Sequence, residues 1–455
     1  MKRICIIICM LSLIIFSAGL GLADQNLDKL KAHSSMFRKD VVKVADNVYA
    51  AVGYAASVSS MIIGNDGIII IDTTESLAAA ENVLAEFRKI TDKPIKAIIY
   101  THGHRDHVSG AQVFVDEGGN PAIYGRHNLF FGLDTKLVGT KIGPFQSLQR
   151  RTVRQFGIKW LKPNTERVNI GLGPAERPLK GMGKGFVPPT ERFDGEIMKL
   201  NIAGVALELH DSPGETDDAL CVWMPKEKVL FSGDQFYQAF PNLYAIRGTK
   251  YRDFNIWANT LDTMTRFPMN ALVCGHTRPI IGHDKAVQAL KDYRDAIRYI
   301  ITKTAEGMNK GLYIDELPEY VQLPANLANK YYLQEFYGSV AWSAKAYAVG
   351  ELGWFDGNPT NLFPTPPREK AERMAKLAGG KDNLVKKMLT ASAEGDHQWA
   401  MELADILFTL GTDTQKAEQV KITSLRALAD QQINACARNY YLTYAKELEA
   451  GKVNR

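Results

Sequence analysis

An α/β sandwich followed by an all-α helical domain is the fold class this sequence predicts. Three observations predict it. Short apolar strand-like runs alternate with amphipathic helices and tight turns through about residue 284. Past that point helical periodicity takes over. A buried strand at 95–100 also runs straight into a polar, histidine-rich segment, the kind of place where a rigid scaffold presents a site.

The elements follow in order. Val48 to Val52 and Ser60 to Ile63 are apolar strands, Gly64-Asn65-Asp66-Gly67 is a hairpin turn, and Ile68 to Ile71 is the next strand, ending at Asp72. Ser76 caps an amphipathic helix through about Lys89. The stretch 120–190 is less regular, and its 140–190 part, rich in Gly, Pro and basic residues, reads as a long covering loop. Strands return at 197–209, 219–224, 228–232 and 271–274. Mixed hairpins among helices argue for a sandwich over a purely parallel sheet. Ala286 to Met308 is one long amphipathic helix, 352–367 an irregular break, and helices follow at about 369–378, 382–393, 397–410, 413–430 and 432–449, punctuated by Gly395 and Gly411.

Bulk properties narrow the class. A length of 455 residues calls for two or three domains, and 45% hydrophobic with 23% charged residues excludes a disordered chain. Lys2 and Arg3, an apolar run from Ile4 to Phe16 and a small-residue end at Gly21-Leu22-Ala23 read as a secretory signal over 1–23, cut after Ala23. The expectation is therefore a periplasmic or secreted protein with no stable membrane span after cleavage. The formal charge of +5 falls to +3 without Lys2 and Arg3, too small for a nucleic-acid binder. Cys221, Cys274 and Cys436 are odd in number and far apart, so they predict buried small side chains and no disulfide framework.

The chemistry concentrates in His102-Gly103-His104-Arg105-Asp106-His107. Two histidines at i and i+2 on extended backbone point the same way and can hold one metal, while Asp106 and His107 can face a second. Nitrogen and oxygen donors in this mixture suit a water-activating divalent metal, zinc most commonly. One loop cannot close two sites. Three further donors follow predicted strands: Glu215 after Pro213-Gly214, Asp234 after Ser232-Gly233, and His276 after Gly275. A carboxylate at Asp234 has an oxygen for each of two metals.

This ordered set, with Asp72 after its strand, resembles the metallo-β-lactamase superfamily. Glu215 stands where most of the superfamily has histidine, and that resembles its alkylsulfatase branch, which uses glutamate there. Asn242-Leu243-Tyr244-Ala245-Ile246-Arg247-Gly248 with Arg252-Asp253, Gly353-Trp354-Phe355-Asp356-Gly357-Asn358-Pro359 and Arg438-Asn439-Tyr440-Tyr441-Leu442-Thr443 resemble the same branch. The resemblance implies an αββα catalytic domain over 24–284 and a helical dimerisation domain over 285–455, hence a homodimer. It implies two divalent ions, with His102, His104 and Glu215 on one, Asp106, His107 and His276 on the other, and Asp234 bridging. Asp106 and Asp234 would be catalytic, and Arg247 would hold the sulfate of an alkyl sulfate ester.

Three departures mark this chain. Asp234 replaces a common glutamate. Trp342 stands where the branch has a histidine near the site. The lipid-carrier-like domain that typically follows is not in the sequence. Alternatives are therefore hydrolysis of a phosphoester, lactone or β-lactam, or a helical assembly module with a slow vestigial site.

Overall fold

The computed structural model describes residues 25–129 and 144–453. The expected signal, 1–23, lies outside the described residues. Two sheets form the centre of the larger compact unit, which comprises His33–Pro144 and Asn169–Trp354.

The first sheet runs in chain order: β1 (Asp40–Ala45), β2 (Val48–Val52), β3 (Ser59–Ile63), β4 (Ile68–Ile71), β5 (Ile95–Ile99), β6 (Ala122–Arg126) and β7 (Glu191–Phe193). β1 to β4 pair antiparallel through short turns, while β4 to β7 pair parallel with crossovers between them. The second sheet holds β8 (Ile197–Ile202), β9 (Val205–Asp211), β10 (Leu220–Met224), β11 (Val229–Phe231), β12 (Ala271–Val273) and β13 (Ile280–Ile281), in the reverse order.

Alternation along the strands makes the layers. Ile69, Ile71, Ala97 and Ile99 turn inward onto Leu207, Leu209, Val222 and Phe231 of the second sheet. Their neighbours Ile68, Ile70, Ile95 and Ile98 turn outward onto Val83, Phe87 and Phe114 of flanking helices. Both faces of β4 are covered, and those of β5 apart from exposed Lys96, which is why those strands read as largely apolar runs. Burying one such isoleucine contributes about 1.5–3 kcal/mol. Helices Phe254–Met264 and His283–Asn309 pack together, and the second touches β12 and β13. The order of helix, sheet, sheet and helix is the predicted αββα sandwich.

Ser76 caps Leu77–Arg88 as expected, its hydroxyl accepting from the Ala79 amide at 3.1 Å. The covering stretch is not all loop, because Phe145–Phe156 is a helix. Its four apolar residues, Phe145, Leu148, Val153 and Phe156, recur at helical spacing among polar and basic ones, and Leu148, Arg154 and Gln155 are buried.

The smaller unit contains Phe145–Val168, Phe355–Arg455 and the chain through Ala32. Helices Pro367–Leu377, Lys381–Ala393, His397–Leu410, Thr414–Asp430 and Ala435–Glu449 match the expected five to within a few residues. Leu384, Met388, Leu403 and Leu407 form their core. The buried Arg154 guanidinium meets Glu447 at 2.6 Å, joining Phe145–Phe156 to the last helix. The boundary expected after residue 284 differs from this division: His283–Asn309 falls in the larger unit, with Ala289, Tyr293 and Ile297 buried. Periodicity shows that a helix is amphipathic but not which partner its apolar face meets.

Cys221, Cys274 and Cys436 are buried, no disulfide forms among the described residues, and burial pushes the Cys221 and Cys274 thiols up to about 12. Among the described residues no helix is long and apolar enough to cross a membrane.

Candidate metal centre

The site forms where β5, β11 and β12 end. β5 delivers Thr101 and His102, followed by the single turn Arg105–Val108 that carries Asp106 and His107. The segment after β9 brings Glu215, the turn after β11 brings Asp234, and the loop after β12 brings His276. All seven expected donors converge in two groups. His102, His104, Glu215 and Asp234 have donor atoms mutually within 4.8 Å, as do Asp106, His107 and His276.

In the first group Glu215 Oε2 lies 3.1 Å from His104 Nδ1 and 3.7 Å from His102 Nε2. In the second, Asp106 Oδ2 lies 3.4 Å from His276 Nε2 and 3.7 Å from His107 Nε2. Asp234 joins them: Oδ1 is 3.3 Å from His107 Nε2, while Oδ2 is 3.1 Å from His276 Nε2 and 3.8 Å from His102 Nε2. Gly275 permits this. A Cβ on it would stand 2.1 Å from Asp234 Oδ1 and 2.7 Å from the Gly233 carbonyl carbon.

The donors are aimed by a surrounding shell. Asp72 takes the His107 Nδ1–H at 2.8 Å, leaving Nε2 to face Asp234 and Asp106. The Ala56 carbonyl accepts from His276 Nδ1 at 2.7 Å, and the Thr101 hydroxyl sits 3.0 Å from His102 Nδ1. Asp218 accepts the Gly103 amide at 3.0 Å, pinning the backbone between His102 and His104. Arg252 Nη1 donates to Glu215 Oε1 at 2.6 Å. Oriented imidazoles and braced carboxylates are what a metal site requires of its protein.

Charge and burial fit divalent cations. His107 Nε2, Glu215 Oε2 and Asp234 Oδ1 are buried without a hydrogen-bond partner, a costly state unless another group uses them. Burial pulls His107 down, but Asp234, Asp72 and Asp106 outweigh it and hold the imidazole well above its ordinary pKa. His276 is raised too, as Asp234 and Asp106 overcome burial. Burial opposes ionisation of Asp234, yet His276 and His107 keep it well below the carboxylate range. Burial, reinforced by His107 and His104, drives His102 well below the usual value. Without metal, protons on His107 and His276 offset the carboxylates; divalent ions would displace them.

Arg247 lies half-buried in the loop that follows Asn242. A cavity of about 110 Å³ opens beside His104 and Glu215, and the cationic side chains lining it are Lys250 and Arg252, not Arg247. Lys250 bridges to Asp217 across its rim. Trp342 is half-buried on the helix Val340–Leu352. The donors are legible in the sequence, but the supporting residues Asp218 and Gln235 are not. Gln235 steadies the Pro213-Gly214 turn by donating to the Ser212 carbonyl at 2.7 Å. Nothing local marks either residue, since each acts on backbone distant in sequence.

The sandwich and its paired donor groups define a metallo-β-lactamase-fold hydrolase, and the superfamily's family model matches residues 53–276. The model described as alkyl sulfatase dimerisation matches 313–451. A linear primary-alkylsulfatase from a Pseudomonas strain is 39% identical over 395 residues, covering 86% of this chain and 73% of that protein. An (R)-specific secondary-alkylsulfatase from Pseudomonas is 30% identical, covering 90% of this chain and 62% of the relative. The solved stereoselective inverting sec-alkylsulfatase Pisa1 from Pseudomonas superposes with a TM-score of 0.81 at 28% identity, covering 91% of this chain and 66% of that one. The chain belongs to the alkylsulfatase family of the metallo-β-lactamase superfamily.

Proposed function

We propose that this chain hydrolyses alkyl sulfate esters to alcohol and sulfate at a binuclear divalent-metal centre, with zinc as the resident metal. The observation that carries the reading is the pair of donor groups joined by Asp234, set in a chain of the alkylsulfatase family. His102, His104 and Glu215 would hold one ion and Asp106, His107 and His276 the other. When bound, such ions lower the pKa of water towards neutrality and draw in an oxyanion. Asp106 and Asp234, held ionised by their neighbours, orient that water and accept from it. Arg247, with its planar fork of donors, holds the sulfate.

Trp342 bears on which bond breaks. Attack at sulfur expels an alkoxide, which needs a proton from a general acid. Attack at carbon expels sulfate, the anion of a strong acid, which departs without one. Trp342 supplies no such proton, and inversion in the Pisa1 relative also requires attack at carbon. Cleavage at C–O is therefore the reading for this chain, with the water oxygen ending in the alcohol.

Purified chain starting at Asp24, reconstituted with zinc, is tested on short and long alkyl sulfates beside a phosphodiester, a lactone and a β-lactam. Sulfate release that vanishes on chelation and falls in Arg247→Ala supports the reading. Hydrolysis in ¹⁸O-water should label the alcohol. Turnover of another ester with no sulfate release would move the activity to that substrate, the reading in which Trp342 reshapes the pocket.

Two further parts of the reading concern the whole protein. Export with a cut after Ala23 predicts a secreted product that begins at Asp24, checked by intact mass. A homodimer through the helical region accords with the family model over 313–451 and with Phe363 and Leu377, which are 96% and 82% exposed. Phe363→Asp should shift the sedimentation coefficient towards monomer.

A further inference from the structure

A carboxylate among histidine donors brings two things that an imidazole does not: a full negative charge and a second oxygen. In Glu215 the two oxygens have separate surroundings. Oε2 faces the donors, 3.1 Å from His104 Nδ1, and makes no hydrogen bond. Oε1 turns the other way and accepts from Arg252 Nη1 at 2.6 Å. Arg252 is only 3% exposed. The same Nη1 donates to the Asn242 carbonyl at 2.7 Å. The Asn242 amide in turn donates to the hydroxyl of fully buried Tyr237 at 2.8 Å, and the Tyr237 ring lies edge-on to His276 with centroids 6.0 Å apart. One chain of contacts thus begins at a donor of the first group and ends against a donor of the second.

We propose that Arg252 is a positioning residue for Glu215. By engaging Oε1 it confines the carboxylate to presenting Oε2 alone to the His102–His104 side, and it offsets the charge that a glutamate adds there. The proposal rests on the metal reading above. A guanidinium suits the task because it cannot lose its proton and its fork is rigid, whereas an ammonium is a point charge on a flexible stem. Freed of Arg252, the carboxylate can rotate and offer both oxygens, changing the coordination number of the ion it holds.

The test uses the full mature chain and two readouts besides turnover: affinity for Zn²⁺ measured against a chromophoric chelator, and the visible spectrum of the Co²⁺-substituted protein, which reports coordination number. Arg252→Gln should weaken one of two equivalents by roughly 10–100-fold and alter the cobalt spectrum. Glu215→His supplies a neutral single donor that needs no cation beside it. In that background Arg252→Gln should tighten metal binding, so the double variant binds better than either single one. Arg252→Lys keeps the charge but loses the fork, and guards against a glutamine variant that fails to fold; it should fold and still show an altered cobalt spectrum.

Wild-type affinity and an unchanged spectrum in Arg252→Gln, or losses that simply multiply in the double variant, overturn the proposal. An unchanged spectrum in Arg252→Lys does the same for the fork. If Glu215→Ala loses one equivalent while Arg252→Gln loses none, this inference alone falls. If the wild-type chain binds no metal, the inference and the metal reading fall together.

Discussion

Replacing Asp72 by asparagine changes one atom and should cost the second donor group its competence. Asp72 is 2% exposed, and its carboxylate accepts three hydrogen bonds at 2.8 Å, from the Thr101 amide, the Thr101 hydroxyl and His107 Nδ1. An ionised carboxylate only accepts, so a proton stays on Nδ1, and once metal displaces the second proton Nε2 is bare towards Asp234. Asparagine fits the space and tolerates the local φ of +56°. Its oxygen can keep the Thr101 amide, but its NH₂ then meets His107 and drives the imidazole proton onto Nε2. The flipped amide keeps His107 but sets NH₂ against the Thr101 N–H. Either way a charge-assisted bond worth about 1.5–3 kcal/mol is lost. The wrong tautomer should weaken one metal equivalent by roughly 10–100-fold, or about 1.4–2.8 kcal/mol. Chelator competition gives the affinity, thermal melting of the metal-free chain gives the stability, and nitrogen NMR of His107 gives the tautomer. Two equivalents bound at wild-type affinity would refute the claim that Asp72 sets the imidazole.

Other outcomes follow from single contacts. Gly275→Ala places a Cβ against Asp234 and the Gly233 backbone, so it should lose metal and turnover while far-ultraviolet circular dichroism stays near wild type; an active, metal-loaded variant would contradict the packing. His33 is buried between the Tyr331 hydroxyl and the Gly171 carbonyl, both at 2.8 Å, and burial lowers its pKa to about 4. The unfolded chain then binds the extra proton first. Stability from this group is complete above pH 6.5 and drains as pH falls towards 4, by up to about 3 kcal/mol, a loss that His33→Gln should remove from denaturant titrations across that range. Ser76→Ala removes the cap of Leu77–Arg88 and should cost about 1 kcal/mol of unfolding free energy without altering metal content.

What the sequence disclosed depended on how local the signal was. The strands β2 to β5 are short apolar runs with a hairpin turn between two of them, and the later helices carry their apolar stripes and glycine stops within themselves. The donors were legible because three histidines and an aspartate crowd into six positions, and because each later donor follows a strand end. Arg252, Asp218 and Gln235 were not legible in these roles. Their partners stand 37, 115 and 23 residues away, and an arginine that braces a glutamate looks in sequence like any surface arginine. Helix Phe145–Phe156 was harder to read because only four of its twelve residues are apolar and it also buries an arginine against Glu447.

Charge arithmetic at the site also discriminates among substrates. Asp72, Asp106, Glu215, Asp218 and Asp234 bring five negative charges and Arg252 returns one, so the braced cluster stands at minus four with its imidazoles neutral. Two divalent ions would take it to zero, and the cationic Arg247 in the neighbouring loop to plus one. A site of that charge attracts a monoanion and gains less from a neutral lactone. An alkyl sulfate carries one negative charge before attack and releases a dianion afterwards, so the electrostatic gain grows along the reaction, which is the condition for catalysis as opposed to mere binding. A phosphomonoester is already a dianion near neutral pH and would be held more tightly in its ground state. Measured side by side on one alkyl chain, the sulfate should therefore show the higher kcat and the phosphate monoester the lower inhibition constant; the reverse order would mean that the charge of this cluster does not select the substrate.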